Sequence, residues 1–160
     1  MKKRLLALLI LALTGVSSVV AGDELPTGQT LYLPVYSKIW HGDRIQGQHP
    51  VDRLVSALVS IRNTSLKTPI RVTSARYYST EGKLLKEYLG KPAVVGAMGT
   101  LELFVERKES DGGSGANFII QWDSATPTNP PIVEAVHADI RSGQQALIFV
   151  TTAHPIQADK

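Results

Sequence analysis

The chain has 160 residues, a formal net charge of +3 and no cysteine. The missing cysteine excludes a disulfide framework, a thiolate metal site, a cysteine nucleophile and a lipid-modified N-terminal cysteine, so the fold must be held by its core. Three of the 17 Lys and Arg stand at residues 2–4, ahead of all 14 Asp and Glu; the other 14 basic side chains balance the acidic ones, leaving no surplus positive field for nucleic acid or an anionic membrane.

Lys2, Lys3 and Arg4 are followed by an apolar run from Leu5 to Leu13 and by small residues up to Ser18. This is the three-part order of a secretory signal, and Val19 and Ala21 supply the small side chains that a signal peptidase accepts before Gly22. Residues 1–21 are therefore expected to be a cleaved signal peptide, with the product periplasmic or secreted. Thr14, Gly15, Ser17 and Ser18 break the apolar run, which leaves too little length for a stable membrane span. Residues 22–29 read as a flexible leader, 30–153 as one domain and 154–160 as a tail.

The strand signals follow in order. Thr30–Tyr36 alternates Leu31, Leu33 and Val35 with Tyr32, Pro34 and Tyr36; Pro34 cannot donate to a ladder, which predicts an edge strand or a bulge. Ser37–Pro50 reads as a long loop. Arg53–Asn63 places Val55, Ala57, Val59 and Ile61 on one face and Ser56, Ser60 and Arg62 on the other, a core face and a partly wet one. Ile70–Ser79 and Leu84–Leu89 are predicted to form a hairpin in which Gly82 takes the left-handed position of the turn. Thr100–Glu106, Phe118–Asp123, Ile132–Asp139 and Ala146–Thr152 complete about eight short strands, the spacing of an all-β, immunoglobulin-like antiparallel sandwich. Val55, Val59, Ile61, Leu101, Leu103, Phe118, Ile120 and Trp122 are its expected core.

Several blocks belong together: G-Q-T-L-Y-L-P-V-Y-S at Gly28–Ser37, S-I-R-N-T-S at Ser60–Ser65, P-I-R-V-T-S at Pro69–Ser74, G-G-S-G-A-N-F at Gly112–Phe118 and P-I-V-E-A-V at Pro131–Val136. With them the chain resembles a bacterial family of exported domains of unknown function, serial three-one-two-four, from about Gly28 to Val150. The resemblance implies a single exported domain and brings no activity, cofactor or catalytic residue.

No constellation has the spacing of a named chemistry. Asp111, Gly112, Gly113, Ser114, Gly115, Ala116 and Asn117 lack the Lys and the following helix of a nucleotide loop. Their glycines either serve an inter-strand turn or offer backbone donors to a ligand. His41, His49, His137 and His154 show no helical i, i+4 pairing, and only His137 and Asp139 share a strand face. Ser114 with His41 or His137 and Asp111 or Asp139 could make a triad, yet the strand-to-helix elbow is missing. Glu102 and Glu106 lie about 13 Å apart along one strand, too far for a cooperating acid–base pair. Tyr32, Tyr36 and Trp40 are either partly buried or an aromatic contact surface.

The expectation is thus a non-catalytic exported binding or assembly module, without cofactor or metal, whose partner is an envelope protein. The alternatives are a small-molecule or ion-binding protein that uses the Gly112–Asn117 loop, and a hydrolase. The candidate binding residues are Asp111, Gly112, Gly113, Ser114, Gly115 and Asn117, joined by Trp40, His41 and Asp43.

Overall fold

The computed structural model describes residues 24–157 apart from 142 and 144, so the expected signal peptide lies outside the described residues. Among the described residues twelve strands follow one another: β1 (Gly28–Pro34), β2 (Lys38–His41), β3 (Val51–Leu54), β4 (Ser56–Arg62), β5 (Ile70–Tyr78), β6 (Leu84–Glu87), β7 (Ala93–Val95), β8 (Thr100–Val105), β9 (Asn117–Asp123), β10 (Ile132–Asp139), β11 (Leu147–Thr152) and β12 (His154–Ile156). A 3-10 turn at Gly113–Gly115 precedes β9. One sheet has the order β12-β1-β9-β5-β6, with β7 also on β5; a second runs β11-β10-β4-β8; β2 and β3 form a small ribbon. Every pairing is antiparallel.

The all-β antiparallel sandwich predicted from the alternating pattern is the architecture observed. Leu31 and Leu33 of β1, Val72 and Tyr77 of β5, and Phe118, Ile120 and Trp122 of β9 meet Ala57, Val59 and Ile61 of β4, Leu103 and Val105 of β8, and Val133 and Ala135 of β10 in a single apolar core. Seven of the eight expected core residues are buried, and Leu101 packs against them half-buried. Gly82 turns the β5–β6 connection at φ +77°, as expected, and its amide donates to the Ser79 carbonyl.

Four features depart from the sequence-based expectation. β1 is not an edge strand, because the three residues of β12, expected in a tail, pair with Thr30–Tyr32. Val35 donates to the Ala116 carbonyl on the β9 side, so the Pro34 nitrogen faces away from β9, beyond the reach of β12, and the missing donor costs nothing there. The long loop of Ser37–Pro50 contains β2, which pairs with β3 in register from Lys38–Leu54 to His41–Val51. Ser60, on the expected wet face, is buried. β7 lies within the connection read as turn-rich.

Candidate functional site

The 3-10 turn that leads into β9 is built against three side chains from elsewhere. Ser37, just before β2, donates its amide to the Gly113 carbonyl at 3.0 Å and accepts the Gly113 amide on its hydroxyl at 2.8 Å. Thr80, in the β5–β6 turn, accepts the Gly115 amide at 2.9 Å and donates from hydroxyl and amide to the Gly112 carbonyl. Glu109 accepts the Gly112 amide at 3.0 Å with Oε1 and the Tyr77 hydroxyl at 2.6 Å with Oε2. The glycines follow from this crowding. A Cβ on Gly112 would collide with the Tyr77 hydroxyl, and Gly113 sits at φ +79° with Thr80 behind it.

The amides of Gly112, Gly113 and Gly115 are thus consumed inside the fold, and the loop does not present them as a cradle. Ser114 and Asn117 form no side-chain hydrogen bond among the described residues, while Ser114 and Asn117 are half-buried. The ribbon β2–β3 starts beside this turn through Ser37, so the two expected segments are neighbours. Within the ribbon Trp40 rests against His49, ring centroids 4.8 Å apart, and Lys38 pairs with Asp52 at 3.7 Å; His41 and Asp43 are exposed.

His137 is fully buried and takes the Tyr36 amide on Nε2 at 3.1 Å, with the Phe149 ring stacked on it at 4.4 Å. Asp139 is buried between Arg53 (2.6 Å) and Arg141 (2.9 Å), whose hydrogen bonds hold its carboxyl below the usual range. Both groups are committed inside the fold, which leaves neither to serve Ser114 as base or orienting acid. No three His, Asp or Glu side chains converge as metal ligands among the described residues.

A concave site does open beside the first residue of the loop. A cleft of about 890 Å³ lies where β6 and β8 edge the two sheets, lined by Tyr77, Leu85, Tyr88 and Phe104 with Lys86, Glu106, Lys108, Glu109 and Asp111. The Lys86 ammonium stands 4.1 Å from the Tyr88 ring centroid, and Lys108 pairs with Glu106 at 2.7 Å. Burial, then the Glu109 carboxylate, pushes the Tyr77 hydroxyl far above its ordinary range; burial and the charges of Glu109 and Glu106 raise Tyr88. Both phenols stay protonated donors at any physiological pH. Of this cleft, only Asp111 was among the expected residues, because Tyr77, Tyr88 and Glu109 come from separate segments with no shared motif.

A second surface is the outward face of β11-β10-β4-β8. The registers Val150–Val136, Val136–Leu58 and Leu58–Phe104 place these four side chains in one row across the sheet. Phe104 is 54%, Val150 53% and Leu58 36% exposed, and Ile148 beside them 57%. Glu134, paired with Arg62 at 2.6 Å, and Glu102 flank the row on one side.

Residues 28–156 match the model of a family described as "Protein of unknown function (DUF3124)". The chain belongs to that family. No curated protein matches it. Among solved structures it is similar to Thermotoga maritima 1070, at 15% identity and a TM-score of 0.43 over 79% of this chain and 92% of that one.

For a DUF3124 domain the arrangement offers two kinds of binding chemistry. The cleft combines aromatic walls with both signs of charge, which suits a small polar ligand with an apolar body. The sheet face offers a flat apolar band with an acidic flank, which suits a macromolecular partner.

Proposed function

We propose that this DUF3124 domain is an exported, non-catalytic module that binds another protein of the bacterial envelope through the outer face of β11-β10-β4-β8. The row Phe104, Leu58, Val136 and Val150 carries the reading, since apolar side chains aligned across four strands are costly to leave in water and natural sheets alternate to avoid it. The basic and apolar order of residues 2–21 supports export. The test is a photo-crosslinking side chain in place of Phe104 in the living bacterium. A covalent adduct with a second envelope protein, lost when Leu58→Glu is added and absent from a probe at Leu66, is the expected result. Equal labelling at both positions would remove the sheet face as the contact.

The cleft supports a second reading, a small-molecule binder, because polar groups converge beside Asp111 as that alternative requires. Lys86, Glu109 and Asp111 would orient the ligand over Tyr88. Titrating small-molecule pools against the wild type and Tyr88→Ala separates the two: a melting-temperature rise confined to the wild type favours the cleft.

A further inference from the structure

Among the described residues the sandwich has open sheet edges at β12, at β6 with β7, at β8 and at β11. Such edges invite pairing with another chain, and proteins blunt them with short length, proline, charge or irregularity. β12 is three residues long with Pro155 at its centre, and β7 also has only three residues. β6 carries Lys86 and Glu87 beside a register shift at Tyr77/Tyr78, and β8 has exposed Glu102. β11 has none of these devices. Its six residues, Leu-Ile-Phe-Val-Thr-Thr, contain no charge, proline or glycine and pair with β10 without irregularity.

We infer that the occupant of this edge is β11 of a second copy of the chain, paired antiparallel across a two-fold axis. The Ala153 amide donates to the Val133 carbonyl, so odd-numbered residues of β11 turn their backbone groups toward β10. Ile148, Val150 and Thr152 then turn theirs to the open edge, where none has a hydrogen-bond partner among the described residues. With the axis at Val150, Val150 faces its own counterpart and Ile148 faces Thr152, and about six hydrogen bonds satisfy every outward group. The side chains brought together are β-branched, a favourable cross-strand combination.

Charge bears on which edge can pair with itself. The carboxylates at the two ends of the β10–β11 pairing are Glu134, opposite Thr152, and Asp139, opposite Leu147. Each is already paired with arginine, Glu134 with Arg62 and Asp139 with Arg53 and Arg141, so neither opposes the antiparallel contact. Self-pairing of β8 about Glu102 would oppose two carboxylates directly. Pairing of β8 with β11 would be head-to-tail and would not stop at two copies, whereas the two-fold contact does. The product is one eight-stranded sheet in which the row Phe104, Leu58, Val136 and Val150 runs on into the second copy. Strand pairing alone buries less than a standard interface, so the dimer is weak and concentration-dependent.

This inference goes beyond the partner reading, and its test is separate. Sedimentation velocity of the purified protein over a hundredfold concentration range should show a monomer–dimer equilibrium. Because the chain has no cysteine, a lone Val150→Cys reports directly on the axis: paired Cα atoms about 5.5 Å apart lie within disulfide reach. Under mild oxidation it should cross-link at least tenfold faster than Glu102→Cys on the other edge. Val150→Pro removes only an outward amide, and Val150→Lys leaves the backbone intact; each should weaken dimerisation at least tenfold while the melting curve shows the fold retained. A monomer at every concentration, equal cross-linking at both edges, or a dimer indifferent to both folded variants overturns the inference. Adducts from the Phe104 probe that persist in Val150→Lys would show that the envelope-partner contact stands without it.

Discussion

The Tyr36 backbone amide donates to Nε2 of His137, a hydrogen bond of 3.1 Å that ties the end of β1 to the inner face of β10, 101 residues away. Accepting there fixes the proton on Nδ1, which is buried without a partner among the described residues, so the ring must stay neutral. Burial holds its pKa down at about 4. Above about pH 6.5 the ring is neutral in both folded and unfolded chains, and stability is full. Below that the unfolded chain takes up the proton first, so stability should fall by about 1 to 3 kcal/mol between pH 6.5 and 4. Urea titrations across this window check it. His137→Gln keeps an acceptor for the Tyr36 amide and should flatten the slope; an unchanged slope would assign the titration to another group.

Gly112 and Tyr77 are coupled by contact. Gly112→Ala drives a methyl into the Tyr77 hydroxyl and should destabilise the domain by about 1 to 3 kcal/mol. Tyr77→Phe removes the bond to Glu109 and costs about 1 to 2 kcal/mol. The double variant should be less damaged than the two costs added, since the obstructing oxygen is gone. Strict additivity in thermal or urea unfolding would mean that the loop yields elsewhere.

Ser114 and Asn117 separate ligand contact from architecture within the same loop. The hydrogen bonds that hold the loop run through Ser37, Thr80 and Glu109, so Ser114→Ala and Asn117→Ala should each change stability by no more than about 0.5 kcal/mol. Thr80→Ala frees the Gly115 amide and one bond to the Gly112 carbonyl, and should cost about 1 to 2 kcal/mol. Differential scanning calorimetry ranks the three. A large loss from Ser114→Ala would give that side chain a structural role.

The two central strands were legible because their inward apolar positions recur at every second residue: Val55, Ala57, Val59 and Ile61 fall inward, as do Phe118, Ile120 and Trp122. Local pattern failed where pairing is long-range. β12 contains Pro155 and three exposed residues, and becomes a strand only because β1 offers an edge. β2 hid among glycines and charges, and is ordered by β3 and by Ser37 on the turn before β9. The glycines of residues 112–115 were readable as backbone demands, but the side chains that make the demand, Tyr77 and Thr80, lie more than thirty positions away. The cleft has the same origin, since β5, β6 and the β8–β9 connection carry no common motif.

Asn63 shows how one side chain closes the end of β4. Buried beside the turn that follows, it donates from Nδ2 toward the carbonyls of Thr68 (2.9 Å), Val95 (3.2 Å) and Gly96 (3.0 Å), and its Oδ1 accepts the Ser65 amide at 2.9 Å. The amide thereby joins the β4–β5 turn to the end of β7, linking the two sheets at this end of the sandwich. Asn63→Ala leaves these backbone groups with no side-chain partner and should cost about 2 to 4 kcal/mol. Asn63→Asp tests the direction of the bonds: the carboxylate still accepts from Ser65, yet it turns an acceptor toward carbonyl oxygens that need a donor. It should be at least as destabilising as alanine at pH 7 and should recover below about pH 4, where the protonated acid donates again. Urea unfolding of both variants at the two pH values decides it, each read against the wild type to remove the acid sensitivity of His137. An aspartate variant as stable as the wild type at pH 7 would show that the donor side of Asn63 carries no weight.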